Sequence, residues 1–325
     1  MQALKSVIVG TGSYLPENVV SNHKLAETVD TSHDWIVERT GIHQRHFAAE
    51  DQCTSDLAMH AANEAIERAG LTANDIDLIV VATASPDHTF PSCATRVQDK
   101  IGNTKGLAFD VAGVCAGYLV AMNVADSFLR LGKSKRALVI GAETVSSLLD
   151  MEDRATCVLF GDGAGAIVLE AQEENDDNKN RGIIGVDVES DGRLFDILHA
   201  DGGPSSTGTI GNLRMTGQEV FKHAVTKLAE SAESTLKKYD VNPDDLDWLI
   251  PHQANARIIE GMRRKLKMDA EKVIVTVHNH ANTSAASIPL ALHDAVKNNK
   301  INKGDLILHE AIGGGLIWGS ALLRF

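Results

Sequence analysis

The sequence predicts an α/β fold built from two similar halves, and three observations carry that expectation. Runs rich in β-branched residues alternate with longer amphipathic stretches, which implies sheets covered by helices on both faces. Two pairs of segments recur at nearly the same separation along the chain. Between the two halves lies a polar stretch, Ala171 to Arg181, without apolar periodicity.

In the first half, Val7–Val9 and Leu78–Val81 read as strands and Asp56–Ala69 as an amphipathic helix. The apolar run Leu107–Val111 reads as a buried strand turning sharply into a helix marked by Leu119, Val120, Val124, Phe128 and Leu131. Strands come next at Ala137–Gly141 and Ala166–Leu169. In the second half, Ile183–Val188 reads as a strand and Glu219–Lys238 as a helix. Ile274–Asn302 then repeats the order strand, tight turn and helix, and Leu306–His309 closes as a strand. Asn74–Ile79 reads like Asp244–Leu249, an offset of 170 from Asp75 to Asp245, and Ala137–Gly141 reads like Leu306–His309, an offset of 169 from Ala137 to Leu306. Agreeing offsets mark an internal duplication. Residues 1–170 form one half, 171–181 a polar linker and 182–325 the other half, with a layer of helices shared between them.

Composition bounds the function. At 43% hydrophobic and 23% charged residues the chain is ordinarily globular, and a formal charge of −13 argues against general nucleic-acid binding, which needs a basic face. No apolar stretch approaches the ~20 residues of a membrane span, and Met1–Gly12 holds too short an apolar run for a signal peptide. Cys53, Cys93, Cys115 and Cys157 share no C-x-x-C spacing, so neither a zinc nor a redox motif is indicated, and such scattered cysteines suit a reducing compartment. The expectation is a soluble cytoplasmic protein that binds neither nucleic acid nor membrane.

Cys115 lies in Gly113-Val114-Cys115-Ala116-Gly117, where a buried strand gives way to a helix. Backbone N–H groups without intrahelical partners and the positive end of the helix dipole favour a thiolate there, and can lower a cysteine from ~8.5 to about 3.5–7.5. A buried, inert cysteine fits the same segment, and on this segment alone both readings stand. The duplication adds partners. The loop after the matched strand of the second half begins Pro251-His252-Gln253-Ala254-Asn255, and the turn matching that of Cys115 is His280–Ala286, which contains Asn282. Halves packed about a pseudo-dyad would bring Cys115, His252 and Asn282 into one pocket.

These segments, together with Gly313–Ser320, resemble the β-ketoacyl-acyl-carrier-protein synthase III family, the initiating condensing enzymes of bacterial type II fatty acid synthesis. The likeness runs from Gly10–Pro16 to Phe325. It implies a thiolase-like duplicated fold in five layers, α-β-α-β-α, and a homodimer. It implies that Cys115 is the acylated nucleophile, with His252 and Asn282 completing the triad and the backbone N–H groups of Cys115 and Gly314 forming the oxyanion hole. Thr31, Trp35, Arg39 and Arg154 match positions at the adenine end of coenzyme A, and Gly217, Phe221, Ala254 and Asn255 match the tunnel wall. Phe90 matches the residue that a partner subunit inserts to limit acyl length. Ala281 stands where glycine is usual, which implies a tighter backbone around Asn282. The implied reaction is a decarboxylative Claisen condensation of an acyl-coenzyme A primer, acetyl-coenzyme A foremost, with malonyl-acyl carrier protein. No cofactor is implied, since the coenzyme A thioester is a substrate.

The residue types suit that chemistry. A cysteine thiolate exchanges one thioester for another at little thermodynamic cost, and paired backbone donors hold the tetrahedral oxyanion; losing one such donor typically lowers the rate by about 10²–10³. Glycines at 313–315 let backbone approach without a Cβ in the way. A neutral histidine and an asparagine amide can hold an enolate oxygen without abstracting a proton. On the helix after Gln253, Arg257, Arg264 and Lys265 share a face, with Lys222 beside Phe221 extending it. Such a stripe on an acidic chain would steer an acidic carrier protein, and a merely solvated helix face accounts for it equally well.

Other readings fit less of the chain. A cysteine nucleophile elbow of the α/β-hydrolase kind explains Gly113–Gly117 but not the repeat or Asn282–Ala286. A degradative thiolase uses a second cysteine in its C-terminal half, and none occurs after Cys157. Gly161–Ala166 matches a loose dinucleotide fingerprint, yet the adjoining segment Ile167–Leu169 reads as a strand where the motif requires a helix. His278 and His280 lack a third metal ligand at usual spacing. A carrier-binding protein without catalysis is the non-enzymatic alternative.

Overall fold

Alternation of side chains along the central strands ties each sheet to two layers of helices. The computed structural model describes residues 4–175 and 178–325. Strands β1 (Leu4–Tyr14), β2 (Leu78–Ala82), β3 (Leu107–Val111), β4 (Arg136–Glu143) and β5 (Gly163–Glu173) form one sheet in the order β1-β5-β4-β2-β3. Strands β6 (Gly182–Ser190), β7 (Trp248–Pro251), β8 (Leu306–Gly313) and β9 (Ile317–Arg324) form another in the order β6-β9-β8-β7. In the first sheet β2 runs parallel to β4, while β5 is antiparallel to both β4 and β1; in the second, β7 is parallel to β8, and β9 is antiparallel to β8 and β6. Leu78 pairs with Ala137 and Trp248 with Ile307, so the strand register repeats at an offset of 170.

Two sequence expectations need correction. A strand at Ile274, the counterpart of β3, does not form: the segment makes a single parallel bridge, Leu249 to Val273, before the short helix Val277–His280. The N–H groups of Thr276 and Val277 donate to the Gln253 carboxamide oxygen, at 2.8 and 3.1 Å, where a strand would offer them to a neighbour. The linker read over 171–181 is shorter than its polarity implies, because Ala171–Glu173 completes β5 and Gly182 opens β6. Residues 176–177 of that linker, and residues 1–3 of the N-terminal stretch, lie outside the described residues.

The layers arise from which face each strand residue occupies. Ile79, Val81, Leu138 and Ile140 pack outward on Leu57, Ala61 and Val97 of two helices, Thr54–Arg68 and Cys93–Lys100. Leu78, Val80 and Val139 face inward, on helix α1 (Gly117–Arg130) and helix α2 (Ser287–Lys297) through Leu119, Met122, Ile288 and Leu292. The same helices pack on Ile307, Ala321 and Leu323 of the second sheet, whose other face, Leu306, Leu308 and Leu322, meets the helices Gly217–Lys238 and Ala256–Lys265. The result is the five-layered α-β-α-β-α arrangement. Helices α1 and α2 are covered on both sides, which is why they are apolar around most of their circumference. Among the described residues, no helix is long and apolar enough to cross a membrane.

Each central helix is entered through a 3₁₀ turn, Val114–Ala116 before α1 and Ser284–Ala286 before α2. Both turns open on a residue with positive φ, Val114 at 46° and Ser284 at 49°. The second turn lies so close to β4 that a Cβ on Gly141 would come within 2.2 Å of the Ala285 carbonyl oxygen. Gly192, by contrast, has open space where its Cβ would be. Gly141→Ala should therefore lower stability by about 3 kcal/mol or more, and Gly192→Ala by less than about 1 kcal/mol, as read from urea unfolding midpoints. Equal midpoints for the two variants would refute this close packing.

Candidate active site

The strand β3 ends at Val111, and the chain turns through Gly113 to place Cys115 at the entrance to α1, buried at 5% exposure. Cys115, His252 and Asn282 line one cavity of about 300 Å³. The end of β8 closes against the Cys115 turn, where a Cβ on Gly313 would lie 2.7 Å from the Cys115 backbone nitrogen. Glycine at that position leaves the N–H approachable. Gly314 comes next, beside the Leu198 carbonyl.

The thiol departs from the sequence expectation. Burial pushes Cys115 up to about 12, and although a hydrogen bond with the Ser284 hydroxyl opposes the rise, the nearby Glu143 carboxyl adds to it. The helix terminus does not outweigh the loss of water, so at neutral pH Cys115 rests as a thiol. Glu143 is itself fully buried, and burial raises its carboxyl above the ordinary range. Four donors surround that carboxyl: the hydroxyls of Ser85 (2.6 Å), Ser284 (3.0 Å) and Thr83 (3.2 Å), and the Ala84 N–H (3.0 Å).

His252 lies just past β7 and is held by its own backbone, whose N–H donates to the Glu310 carbonyl at 2.7 Å. Its Nδ1 lies 2.6 Å from Ser287 Oγ at the start of α2. Burial pushes the imidazole down to about 3, so it is neutral throughout the physiological range. Asn282 is fixed on three sides. Its N–H donates to the Leu159 carbonyl at 2.9 Å, its carbonyl accepts from the Gly161 N–H at 3.0 Å, and its Oδ1 accepts from the Ser284 N–H at 2.9 Å. With Oδ1 engaged by backbone, the side-chain group left for a ligand is the NH₂, a donor. Ala281, just before it, adopts φ 58° and ψ −161°, a region that suits glycine and costs of order 1–3 kcal/mol for other residues.

Gln253 joins the His252 and Asn282 loops. Its carboxamide donates to the carbonyls of Pro251 (2.8 Å) and Ile274 (3.2 Å) while accepting from Thr276 and Val277. Sequence reasoning passed over Gln253, Glu143 and Ser287. Only Ser287 carried a signal, its alignment with Gly117 in the repeat.

The outer residues divide. Trp35, Arg39, Gly217, Phe221, Ala254 and Asn255 line the same cavity as Cys115, whereas Thr31 and Arg154 do not. The Arg154 and Arg39 guanidinium groups stack on the Trp35 ring at 4.7 and 4.5 Å, and Arg154 also donates to the Asp30 carbonyl at 2.7 Å. The Asn255 side-chain oxygen caps the helix Ala256–Lys265, accepting from the Ile258 N–H at 2.9 Å. Phe90 is 82% exposed and stands outside the cavity. The basic stripe is narrower than its sequence, because Glu260 binds both Arg264 (2.6 Å) and Arg263 (2.7 Å). Arg257, Lys265 and Lys222 are exposed and, among the described residues, have no acidic partner.

A thiol held near 12 has a measurable consequence. Alkylation of Cys115 by iodoacetamide, read by peptide mass so that exposed Cys53 is counted separately, should be slow at pH 7 and rise about tenfold per pH unit to pH 9.5 without levelling. A plateau below pH 8 would mean that the resting group is a thiolate.

Comparison with known proteins adds to this geometry. Residues 109–192 match the family model described as 3-oxoacyl-[acyl-carrier-protein (ACP)] synthase III, and residues 236–325 match that of its C-terminal part. The chain is 56% identical over 322 residues to the β-ketoacyl-[acyl-carrier-protein] synthase III of Rhodospirillum centenum, covering 99% of each, and 56% identical over 321 residues to that of Caulobacter vibrioides, covering 99% of this chain and 100% of the relative. The crystal structure of 3-oxoacyl-[acyl-carrier-protein] synthase III from Aquifex aeolicus VF5 superposes with a TM-score of 0.93 at 45% identity, covering 98% of this chain and 100% of that one.

Proposed function

The chain belongs to the 3-oxoacyl-[acyl-carrier-protein] synthase III family and is an acyltransferase that condenses an acyl-coenzyme A with malonyl-acyl carrier protein to initiate fatty acid synthesis, and we propose that it does so through a thioester on Cys115, with His252 and Asn282 holding the enolate. The observation that carries this reading is the shared cavity, in which a thiol, a neutral imidazole and an amide NH₂ converge without a charged group among them.

In the first half-reaction the Cys115 Sγ bonds to the acyl carbon, the bond from that carbon to the coenzyme A sulfur breaks, and the thiol proton leaves with coenzyme A. The N–H groups of Cys115 and Gly314 hold the transient oxyanion. Burial that disfavours a Cys115 thiolate favours the neutral thioester in its place. In the second half-reaction the malonyl C–C bond breaks, carbon dioxide departs, and the electron pair forms an enolate whose oxygen accepts hydrogen bonds from His252 and Asn282. The enolate carbon attacks the Cys115 thioester, the bond from the acyl carbon to Cys115 Sγ breaks, and the thiolate released takes a proton from water to return as the thiol.

The same reading assigns the rest of the site. Trp35, Arg39, Arg154 and Thr31 receive the nucleotide end of coenzyme A, with Arg154 yielding its place on the Trp35 ring, and Gly217, Phe221, Ala254 and Asn255 line the pantetheine path. Acetyl-coenzyme A is the primer, the protein works in the cytoplasm as a homodimer, and Phe90 of the partner subunit limits the acyl pocket. The exposure of Phe90 supports that last assignment. Arg257 and Lys265, with Lys222, receive the acidic carrier protein.

Two experiments test the proposal. Intact-protein mass should rise by one acyl group on incubation with acetyl-coenzyme A, with Cys115→Ala abolishing the gain. Asn282→Ala should still be acylated while its release of carbon dioxide from malonyl carrier protein falls by about 10²–10³. Label on another cysteine, or normal carbon dioxide release by Asn282→Ala, would overturn the assignment. For the carrier surface, Arg257→Glu with Lys265→Glu should raise the KM for malonyl carrier protein several-fold and leave acylation by acetyl-coenzyme A within about twofold, with the wild-type carrier rate falling as salt is added. Equal losses in both half-reactions would place the stripe outside carrier docking.

A further inference from the structure

We infer that Ser287 is a positioning residue that fixes His252 in the tautomer protonated on Nε2, so that the imidazole offers the cavity a hydrogen-bond donor and not a base; the inference rests on the condensing reading of the site. Ser287 is 2% exposed, and its Oγ has two neighbours, His252 Nδ1 at 2.6 Å and the Gln253 N–H at 3.3 Å. The Gln253 N–H can only donate, so the serine oxygen accepts there. If Nδ1 also carried a proton, Ser287 would accept twice and its hydroxyl hydrogen would be left without an acceptor in a buried position. That arrangement carries the penalty of an unsatisfied buried donor. When the hydroxyl instead donates to Nδ1, all three groups are satisfied at once, and the ring's only proton sits on Nε2, the nitrogen left for the substrate.

The consequence divides the two half-reactions. An Nε2–H imidazole can bond an enolate oxygen beside the Asn282 NH₂, but it has no lone pair free to take the Cys115 proton. His252 therefore serves decarboxylation and not acylation. The repeat shows how particular the device is to this half: 170 residues earlier the pair Ser287 and His252 is replaced by Gly117 and Ala82, neither of which has a side-chain hydrogen-bonding group, and a Cβ added to Gly117 would come within 3.1 Å of that of Ala82.

The test reads the ring directly. In the full chain labelled with ¹⁵N-histidine and free of substrate, the His252 signals, identified by their loss in His252→Ala, should show an unprotonated Nδ1 and a protonated Nε2. Ser287→Ala should give a mixture of tautomers, lower carbon dioxide release from malonyl carrier protein by roughly 10–100-fold in kcat with little change in KM, and keep acyl-enzyme formation within about twofold, short of the 10²–10³ of a donor lost outright. Ser287→Thr, which retains the hydroxyl, should restore the wild-type tautomer. A wild-type ring protonated on Nδ1, or a Ser287→Ala ring identical to wild type, would overturn the inference. Because the spectrum needs no substrate, it judges Ser287 even if the carbon dioxide assay were to reject the condensing reading.

Discussion

The site depends on how closely two backbone turns approach. The turn Ser284–Ala286 rests against Gly141 with no room for a single added carbon, and the end of β8 rests against the Cys115 turn at Gly313 with as little. These contacts are short because both central helices are buried between two sheets, so their N-terminal turns must dovetail with the strands on either side. Cys115 stands on one turn and Asn282 two residues before the other. Their separation is therefore set by backbone packing rather than by side-chain reach. His252 is drawn into the same frame because its strand lies beside β8 and its neighbour Gln253 bonds the segment leading to Asn282.

Such packing excludes water, and the exclusion governs the chemistry. Cys115 is driven up and His252 down by the same cause, burial, so each group rests in its neutral form. On the proposed reading, neither Cys115 nor His252 carries a charge that would hold the malonyl carboxylate, and His252 with Asn282 supplies donors where the enolate oxygen develops charge. The preference is thus for the transition state of decarboxylation over its ground state. Nearby, burial likewise raises the Glu143 carboxyl, four surrounding hydrogen-bond donors oppose that rise, and its influence on Cys115 reinforces the thiol.

Much of this was legible in the sequence because duplication leaves a double record. The offset near 170, the glycine-flanked cysteine and the His252 and Asn282 segments together located the Cys115 turn, its twin and the loops that share a cavity with Cys115. The failures share one origin. The strand at Ile274 has the right side chains, yet a buried carboxamide from Gln253 takes the N–H groups of Thr276 and Val277, and no local pattern announces a partner 23 and 24 residues away. The thiolate expectation came from the helix terminus, a local property, and lost to desolvation, which depends on everything packed around the group. Arg264 reads as part of a basic face until Glu260, one turn earlier, claims it.

Duplication also explains why the groups of the proposed site are unevenly divided. Residues that correspond across the repeat have diverged in chemistry while keeping position: Cys115 answers to Ala285, Val114 to Ser284, and Gly117 to Ser287. The first half carries Cys115 with glycine and alanine around it, so the backbone can come close. The second half has no thiol at that position and carries hydroxyls instead, one touching Glu143 and the other His252. Neither half alone holds both an acyl acceptor and donors for an enolate. A site assembled this way needs both turns at their full packing, so a substitution that loosens the contact at Gly141 should impair decarboxylation before it impairs acylation, since Asn282 adjoins the turn that packs on Gly141, whereas Gly314, the second-half donor proposed for acylation, follows the separate contact of Gly313 with the Cys115 turn.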